Sequence, residues 1–242
     1  MATLRWYVQL GVMAFGVGNL HAACNYSPPP LPSHGQGADT LGAGTAAVAA
    51  EVGRGSVASW WDASYLGDPD VNHGWVGAGR LRVGVGDDLD LGLVGGAGPE
   101  RAIVVGPEAK WRFFRFSPPG AEGSPGFHAA WLSGVGVGAL ELRQESQRRP
   151  FVAPYTGVLA SGGVEVVQMF VGLRLAASEV VGNAQDDLTI YPMLGFGVQV
   201  KPTRSLTWYA EGTLAGGITT HDAGDTALLV YPSTGLSLSF GD

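Results

Sequence analysis

The chain has 242 residues, with 14 Lys and Arg against 21 Asp and Glu, for a net charge of −7. That acidic balance argues against a nucleic-acid partner and offers no electrostatic route to anionic lipid. Charged residues are only 14% of the chain and glycine supplies 39 residues, whereas soluble domains average about 25% charged and about 7% glycine; few charges with many glycines suit a surface that does not face water.

Residues 1–23 read as a secretory signal. Arg5 gives a positive start, Trp6 to Leu20 is mostly apolar, and the small residues Ala22 and Ala23 precede Cys24. About 15 apolar residues fall short of the roughly 20 that a spanning helix needs. His21-Ala22-Ala23-Cys24 resembles the bacterial lipobox, which implies cleavage before Cys24 and lipid attachment to it. It departs from that pattern in carrying His21 where an apolar residue is usual. Ordinary cleavage near Ala22 or Ala23, leaving a free thiol, is the alternative. Cys24 is the only cysteine, so an internal disulfide is excluded. Removal of the leader takes away Arg5 alone and leaves 13 basic against 21 acidic side chains, or −8. Residues 24–41 follow as a tether: Asn25 to Thr40, with Pro28-Pro29-Pro30 and Pro32, has the composition of an extended linker.

From residue 42 to the end, apolar and small or polar residues alternate with period two, and no convincing helix-period segment appears. Ten strands are predicted, at 42–54, 74–85, 88–96, 102–116, 127–143, 151–160, 164–177, 188–200, 205–218 and 226–240, the sixth and seventh divided at Ser161-Gly162-Gly163. Trp75, Leu81, Val83 and Val85 share one face of the second strand, with Ala78, Arg80, Arg82 and Gly84 on the other. Beyond a tight Gly86-Asp87 turn, Leu89, Leu91 and Leu93 continue the apolar face against Asp88, Asp90 and Gly92. The same division sets Trp111 and Phe113 against Glu108, Lys110 and Arg112, and Val171 and Leu173 against Gln168 and Arg174. Leu206 and Trp208 likewise oppose Tyr209 and Glu211, and Leu236, Leu238 and Phe240 oppose Gly235, Ser237 and Ser239.

Alternation over about ten residues, repeated between turn signals, is the pattern of a transmembrane β-barrel. The expected fold is all-β, an antiparallel up-and-down barrel of about ten strands with eight as the fallback, occupying residues 42–242. An even count puts both termini on one side, the periplasm. The connections at 55–73, 97–101, 144–150, 178–187 and 219–225 are then extracellular and mostly longer than the others. Aromatic residues gather near strand ends, among them Trp60, Trp61, Tyr65, Trp75, Trp111, Phe113, Phe127, Trp131, Tyr191, Trp208 and Phe240, as in interfacial girdles. A soluble barrel with the apolar face turned inward is the rival. Its outer face would then be rich in Gly and Ser instead of Lys and Glu, and repeated glycine fits a crowded lumen better.

Taken whole, residues 42–242 resemble the small outer-membrane β-barrel proteins of Gram-negative bacteria. The ending Leu236-Ser237-Leu238-Ser239-Phe240 resembles their C-terminal signal, although Gly241 and Asp242 follow the aromatic. The resemblance implies a place in the cell outer membrane, with membrane lipid and the barrel assembly machinery as partners. It carries no activity and no identified extracellular ligand.

The inward face is expected to hold a charge cluster of Arg80, Arg82, Asp88, Asp90, Lys110 and Arg112. Opposite charges across strands contribute about 0.2–1 kcal/mol each, so the cluster reads as a paired plug or as the lining of a narrow pore. Asp68, Asp70 and His73 in one loop, and His221, Asp222 and Asp225 in another, have the residue types that omptin-type surface proteases use at the barrel rim. Such residues also solvate ordinary turns. A lipid-modifying pair of His128 and Ser133 facing the bilayer is disfavoured by their opposite strand parity. No metal site, cofactor site or phosphate-binding loop is expected. The leading expectation is non-enzymatic: a structural or surface-binding barrel acting through its outer loops. A small-solute pore, a rim hydrolase and a soluble lipid-anchored ligand barrel are the alternatives.

Overall fold

The computed structural model describes residues 36–57, 74–98, 102–117, 126–141, 148–164, 166–181, 188–219 and 226–241. Ten strands are present: β1 (Ala46–Val57), β2 (Gly74–Gly84), β3 (Leu89–Ala97), β4 (Ile103–Phe116), β5 (Gly126–Glu141), β6 (Arg148–Gly163), β7 (Val167–Val180), β8 (Leu188–Val200), β9 (Leu206–Thr219) and β10 (Thr226–Phe240). Each pairs antiparallel with its sequence neighbours, and β1 also pairs with β10, from Ala46 opposite Phe240 to Val57 opposite Leu229. The sheet closes into a ten-stranded barrel with no free edge. No helix among the described residues is long and apolar enough to cross a membrane; a barrel crosses with strands.

Period-two alternation decides the wall. Each strand turns apolar side chains outward, such as Val48 on β1, Leu81 on β2, Leu93 on β3, Val105 on β4, Leu173 on β7 and Phe196 on β8. Among the described outward strand positions, charge occurs only near strand ends, at Arg54, Arg115, Arg148 and Glu179. A continuous apolar belt of this kind would drive aggregation in water and is stable against hydrocarbon. Leu173 at mid-strand is 64% exposed while Lys110 is 1% exposed, which inverts the soluble arrangement and removes the soluble-barrel rival.

Prolines punctuate the ladder. Pro107, Pro154, Pro192 and Pro232 each sit where regular pairing with one neighbouring strand lapses for two residues. Proline has no N–H to give to the ladder, so these lapses are expected. A register shift between Arg112 and Phe114 adds a bulge opposite β5.

Several boundaries shift by three or four residues from the sequence expectation, two of them at glycines. Ser161, Gly162 and Gly163 continue β6, pairing with His128, Phe127 and Gly126, and β7 begins at Val167. A side chain on Gly163 would strike the Val167 carbonyl at 2.4 Å, so glycine here lets the strands approach instead of breaking them. β1 begins at Ala46, because Gly42 and Gly44 hold φ of 84° and 80° and bend the preceding chain away from the wall.

Candidate functional site: the filled lumen

The barrel has a turn end, where residues 85–88, 164–166 and 201–205 connect strands, and a loop end, where the connections include 58–73, 182–187 and 220–225. Its interior divides accordingly. Toward the loop end the inward side chains are mostly apolar, including Val94, Val104, Phe151, Tyr191, Met193 and Tyr231, all buried, with Ser178 and Thr189 buried near them. Tyr191 is fully enclosed here, so it belongs to this packed layer and not to an outer girdle. Trp75, Trp111, Phe127, Trp131, Trp208 and Phe240 do face outward. Most of these lie toward the turn end, where Phe114 meets Phe127 edge-on at 5.9 Å.

Inward glycines make room for inward rings. A Cβ on Gly235 would lie 2.4 Å from the Tyr209 ring, on Gly134 2.5 Å from the Tyr155 hydroxyl, and on Gly138 2.7 Å from Phe151. Each aromatic lies across a bare stretch of the adjacent strand, which is how so narrow a barrel holds several of them.

The middle of the lumen is an ionic layer. Arg80 Nη1 contacts Glu51 Oε2 at 2.9 Å, and the Tyr209 hydroxyl donates to the same oxygen at 2.8 Å. The Tyr155 hydroxyl donates to Glu108 Oε2 at 2.8 Å, and Arg80 Nε lies 3.9 Å from that oxygen. Arg174 lies over the Tyr155 ring at 5.5 Å and donates to Met193 Sδ at 3.2 Å. Nearer the turn end, Asp90 Oδ2 faces Arg82 at 3.4 Å and Lys110 at 3.6 Å. Buried charge is tolerable only when paired, and the cross-strand registers Arg82–Gly92 and Asp90–Lys110 bring these partners to one level.

Of the residues expected in the cluster, Arg80, Arg82, Asp90 and Lys110 share the interior. Arg112 and Asp88 pair at 2.7 Å, but the Asp88 side chain is 57% exposed. That pair therefore stands at the mouth of the turn end. The cluster also contains members that sequence reading did not group with it: Glu51, Glu108, Tyr155, Arg174, Tyr209 and Glu211. Strand parity places Arg174, Tyr209 and Glu211 on the inward face, and the same parity would have placed Glu51.

The second unanticipated element is the end of the tether. Residues 36–41 lie inside the turn end of the lumen. Gln36 Nε2 donates to Glu108 Oε1 at 3.2 Å, and Lys110 Nζ donates to Gln36 Oε1 at 3.0 Å, to Gly37 O at 3.4 Å and to the Asp39 carbonyl. Gly37 N–H donates to Gln199 Oε1, Ala38 N–H to Ser161 Oγ and Leu41 N–H to Asp90 Oδ1, at 3.2, 3.1 and 3.0 Å. The Asp39 carboxylate receives Lys201 Nζ at 2.8 Å and Gln199 Nε2 at 3.4 Å, with His128 Nδ1 3.3 Å away. Burial pushes the Asp39 carboxyl up, but Lys201, with His128 and Lys110 behind it, outweighs burial and holds it below its ordinary value. His128 thus points into the lumen and not at lipid, as its parity requires.

Among the described residues, no group of three His, Cys, Asp or Glu side chains could hold a metal ion. Cys24, Asp68, Asp70, His73, His221, Asp222 and Asp225 lie outside the described residues, as do Trp60, Trp61 and Tyr65.

No family model matches the chain, and no curated protein sequence matches it. Solved structures similar to it include Ail, the attachment invasion locus protein of Yersinia pestis, at 10% identity over 82% of this chain and 99% of that one, with a TM-score of 0.29. The outer membrane protease OmpT from Escherichia coli aligns at 9% identity over 81% and 96%, with a TM-score of 0.39. The translocator domain of the autotransporter NalP from Neisseria meningitidis aligns at 10% identity over 99% and 98%, with a TM-score of 0.32. The chain is an all-β closed barrel that resembles small outer-membrane barrels. At these identities and TM-scores, none of these similarities bears on a reaction.

Proposed function

We propose that this chain is a sealed barrel of the Gram-negative outer membrane with a structural or surface-binding role exerted through its loop-end connections, and that it is not an enzyme. The turn end then faces the periplasm. The observation that carries this reading is the burial of the mid-lumen ions: Lys110 and Asp90 are each 1% exposed. A water-filled pore would leave such groups solvated, whereas here carboxylates, phenols and residues 36–41 satisfy them. With the lumen occupied, the surface left to meet the outside is the loop end.

Conductance in a planar bilayer is the deciding measurement. The intact protein is expected to give no channel steps, and steady single-channel currents would favour the narrow-pore reading. Mobility in SDS with and without boiling tests the membrane barrel itself, since a folded barrel resists unheated SDS. Attachment of lipid at Cys24 predicts acyl labelling that disappears in Cys24→Ser. A measurable activity lost on changing Asp70, His73 or Asp222, with the barrel still folded, would replace this reading with the rim hydrolase.

A further inference from the structure

Residues 36–41 sit in the turn end of the lumen as a ligand sits in a site. Their partners come from strands far apart in sequence: Asp90 on β3, Glu108 and Lys110 on β4, Ser161 on β6 and Gln199 on β8. Five of the segment's hydrogen bonds involve its backbone, and five more run through the Gln36, Asp39 and Thr40 side chains. Three main-chain N–H groups donate to side-chain oxygens of the wall, and Lys110 donates to two main-chain carbonyls. The wall therefore holds both the backbone of the segment, which bends at Gln36 and Ala38, and its polar side chains. It also demands small residues, since a Cβ on Gly37 would lie 3.1–3.3 Å from the Gln199 amide and Ala38 is fully buried.

Two further observations separate this arrangement from an ordinary piece of core. First, the carboxylates of the cradle keep partners without the segment, while Lys110 keeps its 3.6 Å contact to Asp90. Asp90 faces both Arg82 and Lys110, and Glu108 holds the Tyr155 hydroxyl and faces Arg80. Emptying the site would therefore leave Asp90 and Glu108 paired, with entering water replacing the three hydrogen bonds that Lys110 gives the segment. Second, the segment joins the wall only through residues 42–45, where Gly42 and Gly44 hold φ of 84° and 80°. A Cβ on either would meet nothing within 4 Å, so glycine is needed there for its backbone conformation alone. These residues form a hinge that touches none of the cradle groups named above.

We propose that the turn end of the lumen is a peptide-binding site whose resident ligand is residues 36–41 of the same chain, held in exchange on the Gly42–Gly44 hinge. A peptide with small residues at the Gly37 and Ala38 positions, entering from the turn end, can take the segment's place. The proposal concerns the lumen only and stands apart from any role of the loop end.

The test uses the full chain carrying Cys24→Ser and Ala38→Cys, folded and shown to be so by its unheated SDS mobility. The rate at which a polar maleimide labels position 38 reports undocking. Labelling should be slow with the native hinge. It should rise roughly tenfold with Gly42→Val and Gly44→Val together, which strain the docked backbone and leave the cradle untouched. A large excess of synthetic peptide with the sequence of residues 35–42 should raise it further by occupying the site. Equal protection in the native and hinge variants would make the segment a fixed part of the core and overturn the proposal. Indifference to the peptide would overturn exchange, and immediate labelling with the native hinge would overturn docking. If Ala38→Cys does not fold, Thr40→Cys serves the same purpose, its hydroxyl reaching only the Asp87 carbonyl at the mouth.

Discussion

Glu108 accepts from Gln36 and Tyr155 and faces Arg80, so three elements of the molecule meet at one carboxylate. Removing one member of a buried ionic network costs about 3–5 kcal/mol, chiefly through what it leaves unpaired. Glu108→Ala should therefore lower the urea midpoint of the barrel in lipid vesicles by that order, while Glu108→Gln, which keeps acceptors in place, should cost clearly less. Asp39 allows a pH prediction. Its pKa is lowered by docking, so the pairing with Lys201 contributes fully above the ordinary carboxylate value and is lost as pH falls through the lowered one. Docking of residues 36–41 should thus weaken in acid below the ordinary value of 3.8. Asp39→Asn should show the weakened state at neutral pH, both read as protection of position 38 from labelling.

Between strands, the tolerance of each glycine depends on what lies across from it. Gly235→Ala would drive a methyl against the Tyr209 ring at 2.4 Å and the Ala50 carbonyl at 2.6 Å, an overpacking worth about 1–3 kcal/mol. Gly79→Ala meets nothing nearer than the Ala49 carbonyl at 3.7 Å and should be neutral or slightly stabilising in the same urea series. On the outer face, Leu173→Arg at mid-strand should cost about 2–4 kcal/mol in a bilayer, and Met169→Arg, toward the turn end, about 0–1. Equal costs at the two depths would contradict the membrane placement.

These strands were legible because period two survives any register: Arg80 and Leu81 must face opposite ways wherever β2 pairs. The strand count and the outward face of Leu173, Trp208 and Leu236 follow from that alone. What parity cannot carry is the contents of the lumen. It puts Tyr191 inward, but only closure shows that Tyr191, Phe151 and Tyr231 fill one end as a packed layer. Ser161-Gly162-Gly163 misleads because glycine allows close strand approach as readily as it allows a turn. The docking of Gln36 to Leu41 is invisible in sequence, since Gly, Ala and Thr there read equally well as solvated linker and the partners are about 50–160 residues away.

At the scale of the whole molecule, the wall satisfies its backbone by closure and the ionic layer satisfies its charges by pairing. The layered filling, ionic at one end and apolar at the other, has a consequence for the connections at the loop end. Inserting foreign sequence there leaves every inward contact named above in place, and each doubling of a connection's length costs only about 0.6 kcal/mol of closure entropy. An epitope of a dozen residues spliced between Glu141 and Arg148 should accordingly leave the unfolding midpoint almost unchanged. The same insertion into the 164–166 connection, one residue from the Gly163–Gln168 pairing, should collapse it. By that measure the barrel is a ready host for grafted sequence, open to variation at one rim and intolerant of it at the other.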